Sequence, residues 1–195
     1  MTADTAGAVF PTETVLSDGS VYRVVPVETG VRAIRAWVEH PWPMSPAQAL
    51  ALRDRLGWTS SPTNERMFTT DHGIGEKDAS FNTIEAGGDI RTVSSFHLSL
   101  TSRIPKPVRA EAVPIAERAF DAYVEALTAI YGQGDRSRSR GVLSVTWALP
   151  NDALVDIGTV GRVVSVDVDS PALNEAARGE AQYFAEIADE NDPAR

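Results

Sequence analysis

Cysteine is absent from the 195-residue chain, which rules out a disulfide framework and any thiolate metal site. Histidine is nearly absent too. His40, His72 and His97 are the whole supply, and no two stand at HxxxH or HExxH spacing. No uninterrupted apolar run approaches the ~20 residues that span a bilayer, so no membrane partner is expected. Met1-Thr2-Ala3-Asp4-Thr5-Ala6-Gly7 has neither the basic start nor the apolar stretch of a secretory signal. With the lack of cysteine, this leads us to expect a cytoplasmic protein. There is no GxSxG elbow to present a serine nucleophile.

The apolar share, 43%, is ordinary for a globular protein, and the length suits one core. We expect a single domain over residues 13–188, with a flexible N-terminus (1–12) and a flexible tail (189–195). Acidic residues outnumber basic ones 27 to 18, for a net charge of −9. That balance disfavours nucleic acid as a partner and favours solubility or a basic protein partner. Solubility alone accounts for it equally well.

Hydrophobic periodicity and turn chemistry divide the chain. Asp18-Gly19 between two β-rich runs predicts a hairpin with a type I′ turn. Val31, Ile34 and Val38 predict a helix over 28–39, broken by His40-Pro41-Trp42-Pro43. Ser45-Pro46-Ala47-Gln48 is a capping box with proline at the first helical position, and Gly57 suits the end of that helix. Strands are expected at 66–70, 79–84 and 92–101, with Ala86-Gly87-Gly88-Asp89 as a turn. In the last of these strands Phe96, Leu98 and Leu100 alternate with Ser95, His97 and Ser99, as in an antiparallel sheet with one wet face. Pro105 and Pro107 end the run. A long helix follows over roughly 110–131, with Pro114 near its start and Gly132 at its end.

Residues 133–141 read as a polar loop carrying Arg136, Arg138 and Arg140. Three more strands follow, centred on Val145, Val155 and Val166. Ser170-Pro171 opens a last helix whose apolar face would be Leu173, Ala176, Ala177, Tyr183, Phe184 and Ile187. The fold class is therefore α+β: an antiparallel sheet of about six strands packed by helices, in the order hairpin-α-α-β-β-β-α-β-β-β-α.

Candidate chemistry is thin. His72 near Asp71, Glu76 and Asp78 makes a loose acidic loop rather than a metal centre. His97 between Ser95 and Ser99 lacks a visible carboxylate to orient it. Gly73-Ile74-Gly75 misses the third glycine and the Lys-Ser/Thr of a phosphate loop. Asp167 and Asp169, two apart in a strand, point from one face and suit contact with a basic partner. The arginine cluster has no interleaved aromatic of the kind that binds nucleic acid. Trp42, between two prolines, either pins its turn or anchors a binding surface. We expect no catalytic, cofactor or metal site, and take Trp42, Asp71, Glu76, Asp78, Asp167 and Asp169 as candidate partner-binding residues.

His40-Pro41-Trp42-Pro43, then Ser45, a short helix and Leu56-Gly57-Trp58, resembles the opening of an actinobacterial family of small proteins of unknown function. Met44 stands where that family has a second tryptophan, and Trp147 matches its late one. The likeness covers about residues 30–170. Such proteins are often encoded beside large secreted toxins, which implies a cytoplasmic immunity protein that occludes a cognate toxin. A secretion chaperone or adaptor for an exported effector is the alternative, and a small enzyme of unknown reaction a third. No residue roles carry over from the family.

Overall fold

The elements follow one another as β1 (Glu13–Val15), β2 (Val21–Arg23), α1 (Val27–Val38), α2 (Pro46–Arg55), β3 (Thr59–Ser61), β4 (Asn64–Thr69), β5 (Ala79–Glu85) and β6 (Arg91–Ser99). Then come α3 (Arg109–Tyr131), β7 (Asp135–Ser139), β8 (Val142–Ala148), β9 (Leu154–Thr159), β10 (Val164–Asp169) and α4 (Pro171–Glu190). This computed structural model describes residues 12–85, 91–103, 108–139 and 141–190. The expected turn at 86–89, the breaks at Pro105 and Pro107, Arg140, and the terminal stretches 1–11 and 191–195 lie outside the described residues.

The α+β class and the antiparallel sheet are as expected, but the sheet has eight strands rather than about six, beside the separate two-stranded hairpin. Its order is β3-β4-β5-β6-β10-β9-β8-β7, so two four-strand meanders meet through their last strands. Val166 lies opposite Leu98 at that central seam. The strands that sequence patterning missed, β3 and β7, are the two edges. Every residue of β7 is exposed, so no alternation of burial marks it, and what reads as a polar arginine loop is an edge strand.

Local chemistry explains the rest. The Ser45 hydroxyl accepts from the Gln48 N–H, and the Gln48 side chain accepts from the Ser45 N–H, completing the capping box. Gly57 takes the left-handed conformation that ends α2, with φ 75°. The hairpin turn differs from the expected type I′. Gly19 has φ 82° while Asp18 is not left-handed, and the Gly19 N–H donates to the Leu16 carbonyl. One left-handed glycine after a tight turn is the bulged arrangement of longer hairpin loops.

Helices α1, α2 and α3 cover one face of the sheet. Trp37 of α1 is fully buried and stacks on Phe96 of β6, with centroids 4.0 Å apart and planes at 7°. Phe68, Phe81 and Trp58 pack around this pair. Trp147 is core, and its indole N–H donates to the Gly132 carbonyl. The last helix departs from expectation. Its first turn is held down, but Ala176 and Ala177 are exposed, and Tyr183 and Phe184 are 61% and 59% exposed. The sheet's inner face is already filled by α1 to α3, so much of the apolar stripe of α4 stays exposed, with Leu173 and Ile187 half-buried.

Gly30 decides how closely α1 and α3 approach. A Cβ there would overlap the Tyr123 hydroxyl, which donates to the Val25 carbonyl at 2.9 Å. Gly30→Ala would gain about 1 kcal/mol of helix propensity. It would cost about 1–3 kcal/mol in overpacking, and more if the buried Tyr123 hydroxyl loses its acceptor. We expect net destabilisation, read as a lower urea midpoint.

Candidate functional site

The face of the sheet turned away from α1 to α3 is polar, and pairing registers line its side chains up in a row. Ser80 of β5 lies opposite His97 of β6, His97 opposite Asp167 of β10, Asp167 opposite Asp156 of β9, and Asp156 opposite Thr146 of β8. Asp169 stands two residues along from Asp167, on the same face. Each side chain is there because its strand alternates: Val155 and Ile157 are buried while Asp156 between them is not, and the same holds for Asp167 between Val166 and Val168.

Hydrogen bonds run along this row. His97 Nδ1 and Asp167 Oδ1 are 2.8 Å apart, and the Thr146 hydroxyl donates to Asp156 Oδ2 at 2.6 Å. Partial burial holds the Asp156 and Asp169 carboxyls above the usual carboxylate range, and repulsion from Asp167 adds to it. A recess of about 430 Å³ opens beside the row, rimmed by Arg103 and Arg162.

His97 has the carboxylate that sequence could not reveal, yet no hydrogen bond joins the ring to a serine among the described residues, and Ser95 accepts instead from Asn82. Among the described residues no group of three or more His, Asp or Glu side chains is placed to hold a metal ion.

The six candidate partner-binding residues do not converge on one surface. Asp167 and Asp169 share the open face, joined by Asp156, which sequence reading passed over. Its place between Val155 and Ile157 was the available signal. Asp71 and Glu76 are exposed on the β4–β5 loop. Asp78, on the same loop, is 5% exposed and corrects the expectation of a surface residue. Its carboxylate accepts from the Thr70 N–H at 2.7 Å and the Thr70 hydroxyl at 2.6 Å, so it ties the loop shut. His72 is half-buried beside Trp58, and burial lowers its pKa. Trp42 is half-buried at the opposite end of β6, against the start of α4.

The profile of the family of unknown function DUF6301 matches residues 28–170, from α1 to the residue after β10. No curated protein and no solved structure matches the chain.

Two outcomes follow from these environments. Asp78→Ala leaves two buried Thr70 donors without their acceptor and should cost about 1–3 kcal/mol in urea unfolding. Asp156 has a folded pKa above its unfolded value, so the native state holds the proton more tightly, and the carboxyl destabilises the fold increasingly as pH rises through the folded pKa. Asp156→Asn keeps an acceptor for Thr146. It should therefore raise stability at neutral pH, with the gain fading below about pH 4, where the unfolded carboxyl is protonated too.

Proposed function

Since this chain belongs to the DUF6301 family, whose function is unknown, we propose that it is a binding protein that engages a basic protein partner through the open face of its sheet. The observation that carries this reading is the second face, uncovered among the described residues, whose central strands carry Asp156, Asp167 and Asp169 close together. Burial is the main reason the Asp156 and Asp169 pKa values are raised, and repulsion from Asp167 adds to it. A cationic surface laid over them relieves that repulsion. Charge complementarity of this kind chiefly accelerates encounter and selects the partner. The net charge of −9 acts in the same direction at longer range.

In its finer form the proposal is a cytoplasmic immunity protein. The partner is a cognate secreted toxin with a basic active site, such as a nuclease or a nucleotide-consuming enzyme, neutralised by stoichiometric occlusion. That part rests on the resemblance carried by the His40–Trp58 stretch and its association with toxin loci. The secretion-chaperone reading draws on a different observation, the exposed Tyr183 and Phe184 of α4, which suit a grip on an apolar client segment.

Co-purification with the protein encoded beside this one, followed by assay of that protein's toxicity, separates these readings. Immunity requires a one-to-one complex with toxicity abolished. In that complex the triple variant Asp156→Asn, Asp167→Asn, Asp169→Asn should weaken binding at least about tenfold, and added salt should slow association. A complex that leaves the toxin active favours the chaperone, and absence of any complex overturns both.

A further inference from the structure

The recess beside the acidic row is built from residues the row itself does not explain. One step along the strands from His97, Asp167 and Asp156, the next outward positions are Ser99 of β6, Ser165 of β10 and Gly158 of β9, which lie opposite one another in that order. None carries a side chain larger than serine, so together they make a low floor. The acidic row bounds the floor on one side. On the other stand Val142 and Val160, 38% and 47% exposed, with Arg103 and Arg162 at the rim.

Gly158 is the informative residue of that floor. It sits in an inner strand, where glycine weakens a sheet. Its backbone is not left-handed, and a Cβ there would meet nothing closer than 3.7 Å, at the Leu143 carbonyl oxygen. Neither conformation nor packing therefore calls for glycine. What the missing side chain provides is open space next to Asp156. That carboxylate accepts from Thr146 through Oδ2, while its Oδ1 lies 3.9 Å from where a Gly158 Cβ would stand. The oxygen that Thr146 leaves free thus faces the floor. Glycine inside a strand often marks the close approach of a ligand.

The recess also has two poles. Arg103 and Arg162 are exposed and form no hydrogen bond or ion pair among the described residues. Opposite charges therefore line one cavity of about 430 Å³ without meeting. That volume lies within the range of small-molecule pockets, roughly 300–1,000 Å³. A cation alone would be repelled by the arginines, and an anion alone by the aspartates, so the fitting occupant carries both charges. Successive outward positions along a strand are about 6.6 Å apart, so its two ends are separated by several methylenes. The bare backbone of Gly158 and the two valines offer the track for that stem.

We propose that this recess binds a carboxylate joined through an aliphatic stem to an amine or guanidinium, the chemistry of lysine and arginine, whether free or at the end of a chain. The cation meets Asp156 and Asp167, the stem crosses Gly158, and the carboxylate meets Arg103 and Arg162. The site shares two aspartates with the face proposed for a basic partner, but it goes beyond that reading and needs no protein to cover the face.

The test titrates the full chain with Nα-acetylarginine and follows its three histidine rings by nuclear magnetic resonance, the His97 signal being identified by its loss in His97→Gln. Nα-acetylargininamide removes the carboxylate charge, and Nα-acetylnorleucine removes the cation. The expected result is a saturable shift at His97, with each control bound at least about tenfold more weakly, the worth of one charge-assisted hydrogen bond. The double variant Arg103→Gln, Arg162→Gln should erase the preference for the acid over the amide. Gly158→Val fills the floor with a residue that suits a strand and leaves every charge in place. It should abolish the shift without lowering the urea midpoint. Tighter binding of free L-arginine than of the acetylated form marks the free amino acid as the ligand, and the reverse order marks a chain end. No saturable shift, equal binding of either control, an acid preference that survives loss of both arginines, or unchanged binding by folded Gly158→Val would each overturn the proposal. No partner protein enters the titration, so its failure and the failure of the co-purification are told apart.

Discussion

The contact between Trp37 and Phe96 is the constraint from which the remaining architecture follows. The rings lie nearly parallel at 4.0 Å and both are fully buried, so α1 is fixed across the middle of the sheet. Phe68 and Phe81 extend the contact to β4 and β5, and Trp58 extends it to the start of β3. Aromatic pairs at such distances add about 0.5–1.5 kcal/mol beyond the area they bury, so the cluster sets the position of the helical layer as well as its stability. Gly30 then lets α3 close on α1, with Tyr123 reaching past it to the Val25 carbonyl.

Filling one face so fully determines the fate of the other. The two meanders are arranged alike, and each is followed by a helix. The helix after β6 crosses under β9 and β10 and is buried. The helix after β10 finds that layer occupied by α1 and α2. Its start is secured by Ser170 and by the Asn174 side chain, which donates to the Asp152 carbonyl at 2.7 Å. The polar face of the sheet stays uncovered among the described residues. Its carboxylates are kept at a local cost, since Asp156 and Asp169 are partly withdrawn from water next to the charge of Asp167. Hydrogen bonds from Thr146 to Asp156 and between His97 and Asp167 offset part of it. The proposed basic partner would relieve the part of that cost that comes from repulsion.

Much of this was legible in the residues themselves. The capping box at Ser45, the alternation of β6 and the stripe of α3 are local patterns, and the structure follows them. In α3 the stripe is buried from Ala116 through Leu127, while Ile130 at its end stays 42% exposed. The face carrying Asp167 and Asp169 was also legible, because a period of two fixes which side chains leave a strand together. Edge strands escaped because β7 is exposed along its whole length, and no burial pattern distinguishes such a strand from a loop. Asp78 was misread because an acidic residue in a polar loop looks solvated until Thr70 is seen to meet it.

By itself the sequence determined the helices and the sidedness of the inner strands, since both depend on neighbours within a few residues. Tertiary structure alone decided which strands adjoin, and hence that His97, Asp167 and Asp156, drawn from three strands and up to sixty or seventy residues apart, form one row. It alone decided that Trp42 meets the start of α4, and that Tyr183 and Phe184 of α4 stay exposed. The physical reason is the same in each case. Which surfaces remain open depends on which elements have already taken the core, and that competition is settled only when the whole chain packs.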